Sequence, residues 1–326
     1  MQLADTRDGA EPLDIADFEI RTATLRYLLG EITLFRKRLK LHHYTGHFLA
    51  TDPTDSPFAI PSLNLSEADG VMLPSFPLAG RLPAVVRKGG FIAYTPRQYE
   101  RAFIAECQSF EQYLEKFTAK SRSTLRRKVR KFTREFGEGS FRAFSGREAM
   151  AEFHAHAVEV SRKTYQDRLF DAGIPADDEF RDSMLEAADQ GICRGYLLFD
   201  DGHKPVSYLY TPIVDGNVHL YELVGYDPDY SKFSPGTVLQ FHVLEYLFEL
   251  GQPFVFDFTE GEGSHKAYFA NDSRLCGDIY LFRTTPRALL LVYSHLFLAR
   301  SVALLTAILD RLKVKKTIKK LIRRSA

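Results

Sequence analysis

The sequence predicts a mixed α/β (α+β) fold, a mostly antiparallel sheet flanked by helices, with a divergent amino-terminal half and a helical carboxy-terminal extension. The sheet rests on two hairpin signals. Asp201-Gly202 and Asp215-Gly216 each separate β-rich runs in GYLLFDDGHKPVSYLYTPIVDGNVHLYELVGY, and such pairs tolerate the positive φ that tight hairpins demand. The flanking helices rest on segments such as TVLQFHVLEYLFEL, an apolar run that stops at Gly251.

Taken in order, Arg21 to Leu41 sets Leu25, Leu28, Leu29, Ile32, Phe35 and Leu39 near one helical face, which predicts a helix. From Pro53 to Pro96, prolines and glycines punctuate GVMLPSFPLAG and AVVRKGGFIAY, which read as strands and loops. SFEQYLEKFTAKSRSTLRRKVRKFTREFG has no strong breaker before Gly137 and predicts one helix capped there. Its inward stripe is Leu125, Val129, Phe132 and Phe136; Lys120, Arg122, Arg126, Arg127, Lys128, Arg130, Lys131 and Arg134 surround that stripe.

A short strand is expected from Ser140 to Phe144, then a helix from Arg147 to about Tyr165 capped by Ser145, and a second from Asp177 to Gln190. Three antiparallel strands follow, then the junction YDPDYSKFSPGTVLQFH from Tyr226 to His242. PFVFDF, a short helix and GDIYLFR complete the layout. The expected divisions are 1–108, a divergent half, 109–286, the main domain, and 287–326, an amphipathic helix with a basic tail.

With 45% hydrophobic and 26% charged residues, the 326-residue chain has enough apolar area for proper cores, which argues against disorder. Cys107, Cys193 and Cys276 lie far apart, so neither a disulfide framework nor a zinc site is expected. His154 and His156 are two apart on a predicted helix and point to different sides, so no metal is expected there either. The opening MQLADTRDGAEPLDIADFE is acidic and has no apolar run, unlike a secretory signal, and the expected location is the cytoplasm. Net charge is +1, yet Arg311 to Arg324 carries eight basic residues and no acid, leaving 35 basic against 42 acidic residues in the rest.

The order of elements resembles the GNAT acyltransferase fold. Three segments in sequence, Phe110 to Lys131, Tyr226 to Leu239, and Asp257-Phe258-Thr259-Glu260-Gly261 followed by Lys266, resemble its CelD/BcsL-type branch, which is related to the FemAB transferases. The resemblance spans roughly residues 100 to 285. It implies an N- or O-acyltransferase that uses acyl-CoA, acetyl-CoA or longer, as co-substrate. The acceptor would be a small molecule, saccharide or amino acid, in cell-envelope or exopolysaccharide synthesis. A FemAB-like enzyme would take aminoacyl-tRNA instead, with the arm from Lys120 to Arg134 touching phosphates. A non-catalytic binding protein on the same fold is the third reading.

Ser234-Pro235-Gly236 reads two ways. It is a helix start, with Ser234 as cap and Pro235 in the first turn, or a cradle in which unpaired N–H groups receive a pyrophosphate. Its place after the third strand favours the cradle. In the family this loop runs Q/R-x-x-G-x-G/A; aligned on the last glycine, Ser231 takes the first position, Ser234 the first glycine and Gly236 the second. Pro235 has no N–H, so Ser234, Gly236, Thr237 and Val238 are the expected donors, with Lys232 adding charge.

The resemblance further implies that NVHLYELVGY pairs with the pantetheine arm, and that an N–H near Val224 or Gly225 polarises the thioester carbonyl. Glu222 and Asp257 are the candidate bases for the acceptor. Lys266 neutralises an anionic group or pairs with Asp257. Tyr208, Tyr210 and Tyr221 read as pocket lining or as ordinary strand aromatics. No G-x-S-x-G elbow supports a hydrolase.

Ala288 to Leu309 is nearly long enough to span a bilayer, but His295 and Arg300 interrupt it. A helix lying on the domain or on the inner leaflet is expected, with the tail against an anionic membrane surface.

Overall fold

A computed structural model describes residues 13–29, 32–58, 63–105, 107–164, 173–261 and 263–311. The strands are β1 (Phe18–Leu29), β2 (Ile32–Tyr44), β3 (Gly70–Pro77), β4 (Val85–Lys88), β5 (Phe91–Ile104), β6 (Phe141–Phe144), β7 (Cys193–Phe199), β8 (Pro205–Val214), β9 (Val218–Leu220), β10 (Leu223–Tyr226), β11 (Val255–Asp257) and β12 (Asp272–Arg283). The helices are α1 (Phe110–Glu115), α2 (Ala119–Phe136), α3 (Arg147–Ser161), α4 (Asp178–Asp189), α5 (Pro235–Glu249), α6 (Ser264–Phe269) and α7 (Pro286–Arg311). Strand pairs are mostly antiparallel; β2–β3 and β9–β11 are parallel. The fold is mixed α/β with a mostly antiparallel sheet flanked by helices, as the sequence predicts.

The chain divides into two compact units, one of residues up to Tyr99 together with those from Arg274 on, the other Glu100–Ser273. In the first, the strand order is β1-β2-β3-β12-β5, with β4 pairing β5. The helix expected over Arg21 to Leu41 is instead the β1–β2 hairpin, in which Ala23 faces Leu39 and Arg21 faces Leu41. Period two wins because Leu25, Leu39 and Leu41 are the buried residues, while Leu28, Leu29, Ile32 and Phe35 of the supposed helical stripe are exposed. The strands expected between Pro53 and Pro96 are present as β3, β4 and the start of β5. The α7 helix covers β1 with Ala288 and Val292, and Tyr27 donates its hydroxyl proton to the Leu291 carbonyl at 3.2 Å.

In the second unit the order is β11-β9-β8-β7-β6, β10 pairs β8, and the end of β5 pairs β11. The two Asp-Gly hairpins join β7 to β8 and β8 to β9 as expected. The long basic helix is broken: α1 ends at Glu115, and Thr118 restarts the chain as α2 by accepting the Ser121 N–H at 3.2 Å. A threonine is a good cap and a poor interior residue, so the break falls at Thr118 although no Gly or Pro marks it. Gly137 does end α2, at φ 88°. Gly146, not Ser145, caps α3, without a side-chain bond; α3 ends at Ser161, and Tyr165 lies outside the described residues. One core cluster joins Leu125 and Phe132 of α2 to Val238, Leu239 and Leu244 of α5 and to Leu198, Leu209 and Phe256 of the sheet. A second, on the α3 and α4 side, includes Phe153, Met184, Leu197 and Tyr208.

Candidate functional site

The third strand of the predicted meander is two strands. Three residues, Leu220 to Glu222, stand opposite two, Thr211 and Pro212 of β8, so a β-bulge separates β9 from β10. The β9 strand pairs in parallel with β11 up to Leu220 and Asp257, and the Tyr221 N–H donates to the Asp257 carbonyl at 2.8 Å. Beyond that rung, among the described residues, β10 pairs β8 on one side and no strand on the other.

Alternation along β10 decides which groups line the free edge. The Asp227 N–H donates to Val206 of β8 at 2.8 Å, and the Gly225 carbonyl accepts the Ser207 hydroxyl at 2.9 Å, so residues of that parity turn toward β8. The N–H groups of Val224 and Tyr226 therefore point away from β8, along the open edge. Of the two expected donors, Val224 has this orientation. Gly225 serves packing: a Cβ there would sit 2.5 Å from the Tyr208 ring and 2.9 Å from Thr164.

Glu222 lies in the bulge. Its side chain has no hydrogen-bond or ion-pair partner among the described residues; one side is open to water, while neighbouring protein atoms desolvate the carboxyl and raise its pKa. Asp257 is in a different environment. It is fully buried and bound bidentately by Arg101, with Nε at 3.1 Å from both oxygens and Nη2 at 2.5 Å from Oδ2. Oδ1 also accepts the Thr259 N–H at 2.8 Å. Arg101 escaped notice in the sequence; the signal was a lone arginine in the apolar end of YERAFI.

The partner of Asp257 is thus Arg101 and not Lys266. Lys266 Nζ donates to the Glu260 carbonyl at 2.6 Å and to that of Thr259 at 3.5 Å. Desolvation lowers its pKa, Asp257 opposing and Arg101 adding to the effect. The lysine lies on a pocket of about 720 Å³ lined also by Glu100, Gly261 and Ser264.

Ser234 has φ 55° and ψ 50°, the left-handed conformation that glycine adopts cheaply, and its hydroxyl caps nothing. The Ser234 N–H is given to the Ser231 carbonyl at 3.0 Å, and the N–H groups of Thr237 and Val238 go to the Ser234 carbonyl at 3.0 and 3.2 Å. Gly236 therefore holds the first-turn donor with no such bond. A Cβ at Gly236 would meet no atom within 4 Å, so the space before α5 is open. Lys232 precedes it on a 3₁₀ turn, and Lys131 of α2 donates to the Lys232 carbonyl at 3.0 Å.

Other candidates have structural surroundings. Tyr208 and Tyr210 are buried in the α3–α4 core, and His154 Nε2 bonds the Pro175 carbonyl at 2.8 Å. Tyr221 packs on Phe258 and His265, and His265 Nε2 is buried without a hydrogen bond among the described residues. Burial lowers the His265 pKa, and Lys128 of α2 adds to the shift. His219 on β9 is buried too; desolvation, aided by Arg194, lowers its pKa to about 4. Between α2 and α5, Arg122, Arg126, Arg130, Val129, Phe241 and Glu245 line a groove of about 520 Å³. In this groove Arg126 keeps an ion pair with Glu111 at 3.0 Å.

A search of the curated proteins finds no match. Among solved structures, L-PGS from Bacillus licheniformis is 14% identical over 72% of this chain and 73% of its own, with a TM-score of 0.42. FemX is 11% identical over 85% and 90%, with a TM-score of 0.46. A GCN5-related N-acetyltransferase-like protein from Streptococcus suis is 14% identical over 60% and 63%, with a TM-score of 0.31. Residues 119–267, from the start of the basic helix α2 to α6, match the family model of the acetyltransferase (GNAT) domain.

Proposed function

We propose that the protein is a CelD/BcsL-type acyltransferase that moves an acyl group from acyl-CoA to an amine or hydroxyl acceptor, in cell-envelope or exopolysaccharide synthesis. The observation that carries this reading is the free edge of β10, which begins at the bulge and leads to the left-handed turn at Ser234. Val224 N–H on that edge is the group to bind the thioester oxygen as charge develops on it. Glu222 in the bulge takes the proton of the attacking amine or hydroxyl, the new C–N or C–O bond forms, and the C–S bond breaks to release CoA thiolate, which regains a proton. The open space at Gly236, its N–H and the nearby Lys232 and Lys131 suit the pyrophosphate. Asp257 is read as a structural anchor, and Lys266 as a cation on the pocket beside it.

Calorimetric titration with acetyl-CoA and a longer acyl-CoA tests the reading. Saturable binding is expected for the wild type, and weaker binding for Gly236→Val, whose added side chain meets open space rather than the fold. No binding at millimolar donor would overturn it.

The arginine-lined groove between α2 and α5 favours one second reading, transfer from aminoacyl-tRNA. It expects salt-sensitive binding of charged tRNA, lost when Arg126, Arg127 and Arg130 are neutralised. The proposed location is the cytoplasmic side, with the tail from Arg311 to Arg324, which lies beyond the described residues except for Arg311, against the inner leaflet.

A further inference from the structure

The cations of α2 are not scattered. Arg122, Arg126 and Arg130 follow one another at spacings of four, so they form one stripe along the helix, and that stripe lines the groove shared with Phe241 and Glu245 of α5. Arg122 gives an N–H to the Leu114 carbonyl at 3.5 Å. Arg126 meets Glu111 in an exposed pair, which is worth little and can exchange for a phosphate. Arg130 is exposed and has no hydrogen-bond or ion-pair partner among the described residues. The volume of about 520 Å³ falls within the usual range of small-ligand sites, and Val129 and Phe241 give the groove an apolar lining.

The groove starts beside the turn that precedes α5. Phe132 and Phe136 of α2 lie 6.3 and 4.9 Å from the Phe233 ring, before α5, whereas Arg122, Arg126 and Val129 share the groove with Phe241 and Glu245 farther along it. The two helices are therefore antiparallel, and the Arg130 end of the groove is the end nearest Gly236. Lys131, the next residue, donates to the Lys232 carbonyl in that turn. Phe241 follows Gly236 by about 7.5 Å of helix axis. Glu245 stands at the far end, its carboxylate 3.0 Å from His242 Nδ1.

Positive charge thus falls in two places along one line, Lys131 with Lys232 at the turn and Arg130 with Arg126 beyond it. A ligand with a single phosphate group would use the first alone. The whole line suits a pyrophosphate, then a second phosphate, then an aromatic base against Val129 and Phe241, where Glu245 disfavours a further anion and can accept from an exocyclic amine. The pyrophosphate, 3′-phosphate and adenine of CoA come in this order.

Resting on the acyl-CoA reading above, we infer that the groove between α2 and α5 holds the 3′-phosphoadenosine end of the donor, with Arg130 and Arg126 on the 3′-phosphate. The donor is thereby narrowed to thioesters that carry a 3′-phosphorylated nucleotide; an acyl group on phosphopantetheine alone would leave the groove empty. The arginines select the donor and do not touch the reacting atoms.

Calorimetric titration of the full chain with CoA and with dephospho-CoA, which lacks only the 3′-phosphate, is the test. The wild type should bind CoA about tenfold more tightly, as charge-assisted contacts would give, and the preference should shrink as salt rises. Arg130→Gln should lose most of the preference and Arg126→Gln with Arg130→Gln all of it, with the melting temperature kept and dephospho-CoA binding changed by less than about twofold. Gly236→Val should weaken both ligands alike. Equal wild-type affinity for the two ligands, or a preference that survives in the double variant, would overturn the inference and leave the acyl-CoA reading standing. Binding of neither would overturn both. A double variant that loses charged tRNA while keeping its CoA preference would also overturn the inference, since the groove would then serve the tRNA alternative.

Discussion

Arg101 and Asp257 form a bidentate ion pair inside the Glu100–Ser273 unit, and the same Asp257 gives its carbonyl to the last rung of the parallel ladder at Tyr221. A buried pair of this kind costs desolvation to build, and breaking it leaves one charge stranded. Asp257→Asn is therefore expected to cost about 3–5 kcal/mol in urea unfolding. Arg101→Met combined with Asp257→Leu should cost less than either single change. An Asp257→Asn protein of normal stability that has lost acyl transfer would make Asp257 the base instead.

Glu222 should behave in the opposite way. With no partner to lose, Glu222→Gln is expected to leave unfolding free energy within about 0.5 kcal/mol of wild type. As general base it should lower kcat about 10²–10⁴-fold. Because desolvation raises its pKa, the acid limb of the rate profile should lie above the usual glutamate range, activity rising with pH through it. A limb that persists in Glu222→Gln would assign it to another group.

These contrasts bear on what the sequence disclosed. Both Asp-Gly hairpins, the strand at PFVFDF and the helix ending at Gly251 were legible because local turn chemistry and caps specify them. The β1–β2 hairpin was not, since Leu25, Leu28, Leu29, Ile32, Phe35 and Leu39 satisfy a helical period although only Leu25 and Leu39 are buried. Within the site, Glu222, on one predicted strand, and Asp257, at the end of the next, read equally as candidate bases. Their difference comes from Arg101, 156 residues away in sequence, a long-range contact that no local pattern encodes.

Ser234 holds a conformation in which an L side chain costs about 1–2 kcal/mol. Ser234→Gly should relieve that strain and raise stability by at most about 1 kcal/mol, since glycine's greater freedom when unfolded offsets part of the gain. Ser234→Val should lower stability by more. Chemical denaturation measures both, and a glycine variant less stable than wild type would show that the hydroxyl makes a contribution the turn needs.

His219 supplies a pH dependence. Its folded pKa, about 4, lies below the ordinary 6.5, so its contribution is fully present above about pH 6.5 and is lost as pH falls toward 4. The loss should amount to about 3 kcal/mol, and His219→Asn should remove that part of the slope. Parallel unfolding curves for the two proteins across this range would exclude the assignment.

The bulge between β9 and β10 also acts as a phase shift. Strand periodicity is two, so one added residue resets which groups face inward downstream of it without altering the ladder upstream. Were the same residues to run on from β9 without the bulge, alternation would turn the Val224 N–H toward β8; the added residue turns it to the open edge. The two ends of this strand can therefore vary independently: β9 keeps time with the core, and β10 with whatever occupies the edge.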